Sequence, residues 1–373
     1  MEINIYIFVK VFIMNKFPRE KDISGCSIFG LINTDGEKVS GSVITDAISV
    51  MHDRANGLGG GFSGYGIYPD YPDDYAFHLF FDSVKSKEET EELINKNFLI
   101  EYDEKIRTDN SINLPNKPLL WRYFVKTRNI LTKESEREET FKVVMDINNN
   151  IDGAYVISSG KNMGVFKGVG YPEDISKFYK LEEYSGYIWT AHGRFPTNTP
   201  GWWGGAHPFG LLDWTIVHNG EISSYDTNRR YLEMYGYKCN LVTDTEVITY
   251  LFDFLVRKNN LALPLASKIL ASPMWTDIDR MEEKNRELLK ALRITYSGAL
   301  LTGPFSVILG FENGIMGLGD RLKLRPFLVG KSENTVYMSS EECAVRKICP
   351  DLDSVYRPKG GEPTIALLDD KYV

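Results

Sequence analysis

The sequence predicts an α+β fold built as one large domain. Short apolar strands recur in both halves of the 373-residue chain, with amphipathic helical segments between them. This pattern favours layered α+β structure over an all-helical or a purely parallel-sheet design. No internal repeat, low-complexity tract or proline- and serine-rich linker divides the chain. With 43% apolar and 25% charged residues, the composition is that of a globular protein with a sizeable core.

The individual elements are predicted from the spacing of apolar residues. In chain order they are a strand at Cys26–Leu31, a helix at Ser40–Arg54, a strand at Tyr75–Phe81, helices at Glu88–Asn97 and Glu134–Asp146, a hairpin with arms Ala154–Ser158 and Met163–Phe166, strands at Tyr187–Ala191 and Trp214–Val217, a helix at Thr245–Arg257, and strands at Phe305–Phe311, Gly314–Gly317, Phe327–Val329 and Thr335–Ser339. The glycine-rich run Gly57–Gly66 between the first helix and the second strand is predicted to be a tight or mobile loop.

Charge and cysteine content narrow the class of protein. There are 43 Lys and Arg against 51 Asp and Glu, a net charge of −8, which disfavours nucleic acid as a partner because nucleic-acid binding relies on basic groups. Four cysteines without a CxxC pair are too few for a disulfide framework, and the five histidines are scattered. We therefore expect a reduced, cytoplasmic protein without a metal site, whose partners are small molecules or proteins.

The N-terminal apolar stretch Asn4–Ile13 predicts neither a membrane span nor a secretory signal. About 20 apolar residues are needed to cross a bilayer, and this stretch is half that length. Glu2 precedes it, no basic residue does, and no typical cleavage site follows. Residues 1–13 are interpreted as an overlong gene start, with Met14 as the initiator.

The glycines at positions 59, 61 and 64 form a literal G-x-G-x-x-G, but they do not predict nucleotide binding. That fingerprint requires a preceding strand and a following helix, whose N-terminus holds the pyrophosphate. Here the run follows a predicted helix and leads into Tyr65 and Tyr68.

Three short patterns carry chemistry, and each has an ordinary structural interpretation beside the functional one. Arg194, at a strand end, is typical of a surface ion pair, but its planar guanidinium also suits a carboxylate ligand. His218-Asn219-Gly220 has the sequence of a hairpin turn, yet the Asn219 amide and the Gly220 N–H can also form an oxyanion hole. Asp244 is a plausible helix cap, or the partner of a substrate ammonium group.

Together and in this order, the motifs resemble the class II glutamine amidotransferases, which are N-terminal-nucleophile hydrolases. The matching motifs are Cys26-Ser27-Ile28-Phe29-Gly30, His192-Gly193-Arg194-Phe195-Pro196-Thr197, Ala206-His207-Pro208, His218-Asn219-Gly220 and Thr243-Asp244-Thr245-Glu246, followed by Gly303-Pro304-Phe305-Ser306, Arg325-Pro326 and Ser339-Ser340-Glu341. The resemblance covers about residues 26–345.

The resemblance implies a four-layer αββα sandwich, with a helical insertion around residues 85–149. Residues 1–25 would be a leader, and residues 26–373 the amidotransferase domain. Removal of the leader would make Cys26 the N-terminal nucleophile, with Asn219 and Gly220 holding the oxyanion. The substrate-binding residues implied by the resemblance are Arg194, Asp244, Thr197 and His218. No cofactor is expected on this chain.

Within the family, the chain is most similar to the amidotransferase part of glutamate synthase. The similarity rests on Arg194-Phe195-Pro196-Thr197-Asn198-Thr199, Trp202, Trp203 and Ala206-His207-Pro208-Phe209. It implies a glutaminase subunit of nitrogen metabolism that supplies ammonia for glutamate biosynthesis to a separate flavin and iron–sulfur synthase subunit. Ser27 departs from the pattern, where glycine usually follows the nucleophile, and Thr243 replaces the commoner serine.

Several alternatives stay open at this point. The chain can be a non-catalytic regulatory or scaffolding homologue that retains its leader, or an amidotransferase subunit for a different acceptor. An N-terminal-nucleophile amidase for another amide is disfavoured by the pairing of Arg194 with Asp244, which suits a free amino acid. A papain-like hydrolase with His192 or His218 as base lacks the expected sequence around Cys26.

Overall fold

The structure is a computed structural model that describes residues 25–129, 132–196 and 200–368. Its strands are β1 (Ser27–Asn33), β2 (Val39–Ser40), β3 (Gly60–Tyr65), β4 (Tyr75–Phe81), β5 (Phe98–Lys105), β6 (Leu119–Thr127), β7 (Ala154–Ser158), β8 (Met163–Gly168), β9 (Ser185–Gly186), β10 (Ile188–Gly193), β11 (Phe209–Leu211), β12 (Trp214–Gly220), β13 (Phe305–Phe311), β14 (Gly314–Gly319), β15 (Leu328–Ser332), β16 (Thr335–Ser339), β17 (Ser354–Tyr356) and β18 (Thr364–Leu367).

The α-helices are Gly41–Ser49, Val84–Asn97, Lys133–Asn150, Pro172–Tyr179, Tyr225–Glu233, Asp244–Phe252, Leu263–Leu270, Trp275–Asp279, Glu283–Thr295 and Glu342–Ile348. The helix Asp244–Phe252 continues as a π-helical segment, Asp253–Lys258. Together these two segments account for the predicted helix at 245–257. Residues 1–24, which make up all but the last residue of the predicted leader, and the predicted substrate ligand Thr197 lie outside the described residues.

Two antiparallel sheets pack face to face and form the centre of the molecule. The seven-stranded sheet has the order β17-β15-β16-β1-β10-β3-β8, and the five-stranded sheet has the order β11-β12-β13-β14-β18. Between them lies a core of aliphatic side chains that alternate inward along the strands, including Ile28 and Ile32 from one sheet and Val217 and Ile308 from the other.

Helices cover both outer faces, so the predicted αββα layer order is confirmed. Outward residues of β1, such as Phe29 and Leu31, share a core with the helix Gly41–Ser49. On the other side, outward residues of the five-stranded sheet, such as Ile216, pack with the helix Asp244–Phe252.

The insertion around residues 85–149 is not purely helical, which corrects that expectation. Both predicted helices are present, as Val84–Asn97 and Lys133–Asn150, but β5 and β6 lie between them. β5 and β6 join β4 and β7 in a separate four-stranded sheet, in the order β5-β6-β4-β7. The charged sequence of β5 hides the first of these strands, because its side chains are largely exposed and it lacks the apolar run of a buried strand. β6 is an apolar and largely buried run, so its pattern does indicate a strand that the prediction missed.

The predicted hairpin at 154–166 is wrong in its pairing, although both strands exist. β7 pairs with β4 in the four-stranded sheet, whereas β8 pairs with β3 in the seven-stranded sheet. Adjacent strands in a sequence usually pair, but here the chain crosses from one sheet to another at Gly160.

The glycine-rich run is a central strand and not a mobile loop. Most of it forms β3, which is buried between β10 and β8. The glycines are needed for close approach: a Cβ on Gly61 would lie 2.3 Å from the His207 carbonyl oxygen, and one on Gly64 would lie 2.7 Å from the Trp189 ring. The prediction of a tight or mobile loop is therefore wrong for most of this run.

Candidate active site

A cleft of about 620 Å³ opens where corresponding ends of the two large sheets meet. Its lining includes five of the residues singled out from the sequence: Cys26, Arg194, His218, Gly220 and Asp244. We call Cys26, Arg194 and Phe195 the thiol side, after the Cys26 thiol. These residues flank β1 and β10 of the seven-stranded sheet. His218, Gly220 and Asp244 form the carboxylate side, at the end of β12 and the start of the helix Asp244–Phe252.

On the thiol side, sheet register brings Cys26 and Arg194 together. Ser27 is opposite Gly193 in the β1–β10 pair, so the residues just outside this pair are neighbours although 168 positions apart. The Phe195 N–H donates to Cys26 Sγ at 3.3 Å. Burial raises the pKa of the Cys26 thiol, while the Phe195 N–H and the Arg194 charge act in the opposite direction.

Arg194 is 4% exposed, and its guanidinium donates to the Pro200 carbonyl at 3.3 Å. Burial lowers the pKa of Arg194, and the proximity of Cys26 and Asp244 acts against this. The group stays cationic, because a guanidinium is not deprotonated in proteins. A buried, forked cation at the cleft is suited to pair with a carboxylate from a ligand.

On the carboxylate side, Asp244 begins a helix that is capped by the Thr243 hydroxyl. Its carboxylate accepts from the Ile222 N–H at 3.2 Å and from the Thr245 hydroxyl at 3.3 Å, and His218 Nδ1 lies 3.5 Å away. Burial alone would raise the pKa of Asp244, but His218 and these hydrogen bonds lower it below its usual value. The group is therefore a fixed anion at the cleft.

His218-Asn219-Gly220 is not the hairpin turn that its sequence suggests. All three residues continue β12 and pair with β13, where Asn219 is opposite Ser306. Gly220 has a φ of +140°, and a Cβ there would lie 2.0 Å from the Pro304 carbonyl oxygen, so only glycine fits.

Asn219 does not line the cleft surface but lies directly behind it. It is fully buried, and neither its amide nitrogen nor its amide oxygen has a hydrogen-bond partner among the described residues. Alternation along β12 places its side chain on the same face as Val217, in the space between the sheets. The same alternation places Cys26 on the face of Ile28, which borders the same space.

Three buried histidines connect the two sides. His192 Nε2 is 3.0 Å from the His218 carbonyl oxygen, and the His192 and His207 rings stack at 4.1 Å. The Thr245 hydroxyl lies 3.2 Å from both His207 Nε2 and His218 Nδ1. Burial lowers the pKa of His192 to about 3 and that of His207 well below its usual range, so both rings are neutral near pH 7. Within the described ranges, no group of His, Cys, Asp and Glu side chains could hold a metal ion.

Sequence reasoning missed Arg54. It follows the first helix in a short 3-10 turn, and its guanidinium donates to the Cys26 carbonyl at 3.3 Å. It also forms an ion pair with Glu341, at 2.5 Å. A local sequence of the form Asp-Arg after a helix is common on protein surfaces, so the contact is visible only in the folded chain.

The match to a family model agrees with this arrangement. Residues 100–351, more than half of the chain, match the model of the class-II glutamine amidotransferases. The chain belongs to this family.

The relatives have several different names. An uncharacterized protein of Archaeoglobus fulgidus is 50% identical over 357 residues, with 94% of each chain covered. A "Putative glutamine amidotransferase" of Methanothermobacter thermautotrophicus is 26% identical over 90% of this chain and 98% of its own. The glutamate synthase large chain of Bacillus subtilis is 26% identical over 50% of this chain, which is 13% of its own length.

Among solved structures, the glutamine phosphoribosylpyrophosphate amidotransferase of B. subtilis is matched with a TM-score of 0.47 and 14% identity, over 92% of this chain and 48% of the other. In the part of the chain that the structure describes, no helix is both long and apolar enough to cross a membrane.

Proposed function

We propose that this chain hydrolyses the side-chain amide of L-glutamine through a γ-glutamyl thioester on Cys26, and that the ammonia passes to a partner synthase subunit. The observation that carries the proposal is the set of groups that line the cleft, which includes the Cys26 thiol, the buried Arg194 guanidinium and the partly exposed Asp244 carboxylate. Opposite fixed charges suit the two ends of a free amino acid, and the thiol supplies a nucleophile for its side chain.

The nucleophile requires a free chain start at Cys26. A half-buried thiol whose pKa is raised is a poor nucleophile near pH 7, so it needs a base. Cleavage between Gly25 and Cys26 would expose an α-amino group, whose reference pKa is about 7.7–8.0, to accept the thiol proton. The domain would then consist of residues 26–373, and residues 1–25 would be its leader. Arg54 would orient the new N-terminus through the Cys26 carbonyl.

The reaction proceeds by acyl transfer. The thiolate adds to the glutamine amide carbon, and the oxyanion accepts hydrogen bonds from the Asn219 amide and the Gly220 N–H. The α-ammonium group of Cys26 then gives its proton to the departing nitrogen, and the C–N bond of the glutamine side chain breaks to release ammonia. Water hydrolyses the thioester to glutamate and frees Cys26. Donors of this kind contribute about 2.7–4 kcal/mol each to transition-state stabilisation.

Substrate specificity would come from the paired charges. Arg194 would bind the α-carboxylate of glutamine, with Thr197 beside it, and Asp244 would bind the α-ammonium group with support from His218. An amide without these groups leaves the buried Arg194 cation and the partly exposed Asp244 anion unmatched, which is costly.

The proposed partner is a separate flavin- and iron–sulfur-containing subunit like that of glutamate synthase, in the cytoplasm. The Arg-Phe-x-Thr-Asn-Thr and Ala-x-Pro-Phe motifs and the match to a glutamate synthase large chain support this choice. The chain would thereby act in glutamate biosynthesis.

A substrate series tests the activity. We expect ammonia release from L-glutamine, and losses of at least a hundredfold in kcat/KM with N-acetyl-glutamine and with glutamine α-amide, each of which removes one charge. Equal rates with all three would indicate an amidase of another specificity. Protein purified from its native cells with the leader still attached and without glutaminase activity would instead identify a regulatory homologue. Co-purification tests the partner: a flavin and iron–sulfur subunit is expected, and another acceptor enzyme would overturn that assignment.

A further inference from the structure

Lys167 is a buried lysine that the proposed chemistry does not use. It lies on β8, opposite Gly61 of β3, and is 1% exposed. Lysine is almost never buried without a partner, because removing an ammonium group from water is costly. Its burial therefore needs an explanation.

The ammonium group is held by a backbone carbonyl and an aromatic face. Lys167 Nζ donates to the Gly204 carbonyl at 2.9 Å and lies 4.1 Å from the centre of the Phe209 ring. Within the described residues it forms no ion pair with a carboxylate. Its strongest contact is thus with the segment Pro200–Ala206, which links β10 to β11.

This segment packs directly against Arg194. Arg194 donates to the Pro200 carbonyl, and a Cβ added to Gly205 would lie 3.2 Å from the Arg194 guanidinium. The Trp202 ring folds back over the two glycines, since a Cβ on Gly204 would approach it to 2.2 Å. The segment is therefore a wall of the guanidinium site, and Lys167 holds it at the Gly204 carbonyl.

We propose that Lys167 is a positioning residue for substrate recognition: by holding the Gly204 carbonyl, it fixes the Pro200–Ala206 segment that orients the Arg194 guanidinium. This inference rests on the proposed function for its substrate, but the tether itself is independent of any activity. Lys167 touches neither the nucleophile nor the oxyanion donors, so its effect falls on glutamine binding and not on the chemical step.

The variant Lys167→Met separates positioning from stability. Methionine keeps the length and volume of the aliphatic stem but cannot donate to Gly204. Burial lowers the pKa of Lys167 to about 7, with Glu246 opposing and Arg194 adding to this effect. Since the charged form is disfavoured, its removal need not destabilise the fold. We expect KM for glutamine to rise roughly tenfold, as for loss of one hydrogen bond, with kcat within about twofold.

A double-mutant cycle tests the route through Arg194. On an Arg194→Lys background, Lys167→Met should add little to KM, because the planar group that the segment orients is already gone. The matched control is Lys161→Met, which removes an ion pair to Glu136 at the turn before β8 and makes no contact with the segment. This control should keep the wild-type KM. Additive effects in the cycle, or an equal rise in KM for the control, would overturn the proposal.

Hydrogen exchange without substrate tests the tether when activity is not involved. Backbone amides of residues 201–206 should exchange faster in Lys167→Met than in the wild type or Lys161→Met. Unchanged exchange overturns the tether, and faster exchange with unchanged KM overturns the positioning role. If the wild type does not hydrolyse glutamine, the proposed function fails, and L-glutamine binding by calorimetry replaces KM. If Lys167→Met does not fold, Lys167→Gln, which is polar but too short to reach Gly204, takes its place.

Discussion

The two sides of the cleft differ in how completely their polar groups are satisfied. On the thiol side, Cys26 and Arg194 have partners in the Phe195 N–H and the Pro200 carbonyl, although the hydroxyl of the adjacent Ser27 has none among the described residues. On the carboxylate side, Asp244 is equally well held, but the adjacent Asn219 is fully buried with both amide atoms unpartnered among the described residues.

An unpartnered buried amide costs about 1–3 kcal/mol, so it calls for an explanation. Nucleophilic attack and charge recognition therefore use groups that the fold already holds by hydrogen bonds. The Asn219 amide, in contrast, can still form its hydrogen bonds with a substrate. A group whose bonds form only with the reacting substrate stabilises the transition state selectively. The two sides should therefore respond differently to mutation.

The largest effect is expected on the thiol side, from Cys26→Ala. It should abolish glutamine hydrolysis while leaving the thermal unfolding temperature nearly unchanged, because the side chain has little volume. Cys343→Ala, at an exposed position, and Cys239→Ala, at a buried one, serve as controls and should keep most of the activity. A folded but inactive Cys239→Ala would place the reactive thiol elsewhere.

The charged residues of both sides should come next and should behave alike. Arg194→Lys loses the planar fork, and Asp244→Asn loses the charge that meets the substrate ammonium. Each should lower kcat/KM for glutamine, by an amount that corresponds to about 2–5 kcal/mol in activation free energy. Each should also weaken glutamine binding on a Cys26→Ala background. If either variant bound glutamine normally, its role in recognition would be wrong.

Asn219→Ala should differ from the Arg194 and Asp244 variants, because it should affect turnover and not glutamine binding. No ground-state charge pair is lost, so glutamine binding should be nearly normal, while kcat falls about a hundredfold or more. Steady-state kinetics and calorimetry on the same preparation distinguish the two effects. Weak binding with normal turnover at saturation would make Asn219 a substrate ligand and not an oxyanion donor.

The smallest effect concerns the histidines that join the sides. The pKa of His192 is about 3 in the folded protein and near 6.5 in an unfolded chain, so between these values only the unfolded state binds the proton. Stability should therefore fall as the pH drops below 6.5, by about 1.4 kcal/mol per pH unit for this residue. His192→Gln should reduce the slope of unfolding free energy against pH between 6 and 4.5 by that amount. An unchanged slope would contradict the buried, neutral state.

The sequence predicted the layers well, because apolar periodicity directly reflects burial. β1, β4, β10 and the helix at residue 244 all follow from it. The prediction failed at elements whose burial is not reflected in a periodic pattern of apolar residues. Glycines 60, 61 and 64 are in a buried strand because neighbouring backbone and rings leave no room for side chains, and local pattern alone reads such a run as a loop. β5 was missed because its exposed side chains are charged.

For the cleft, the sequence predicted identities better than surroundings. Five of the predicted residues line one cleft, and Asn219 lies just behind it. Arg54 and Lys167 were not foreseen as neighbours of the site, since each reaches it through a contact across more than 25 residues of sequence. Such contacts depend on sheet register, which a single sequence does not encode locally.

The central claim is that Cys26 acts as an N-terminal nucleophile, and one labelling experiment tests it directly. Active protein is treated with the glutamine analogue 6-diazo-5-oxo-L-norleucine, digested and analysed by mass spectrometry. The account predicts a single adduct, on Cys26, in a peptide that begins at Cys26. Formation of this adduct should abolish glutamine hydrolysis. An adduct on Cys239, Cys343 or Cys349, or full activity in protein that still carries residue 25, would contradict it.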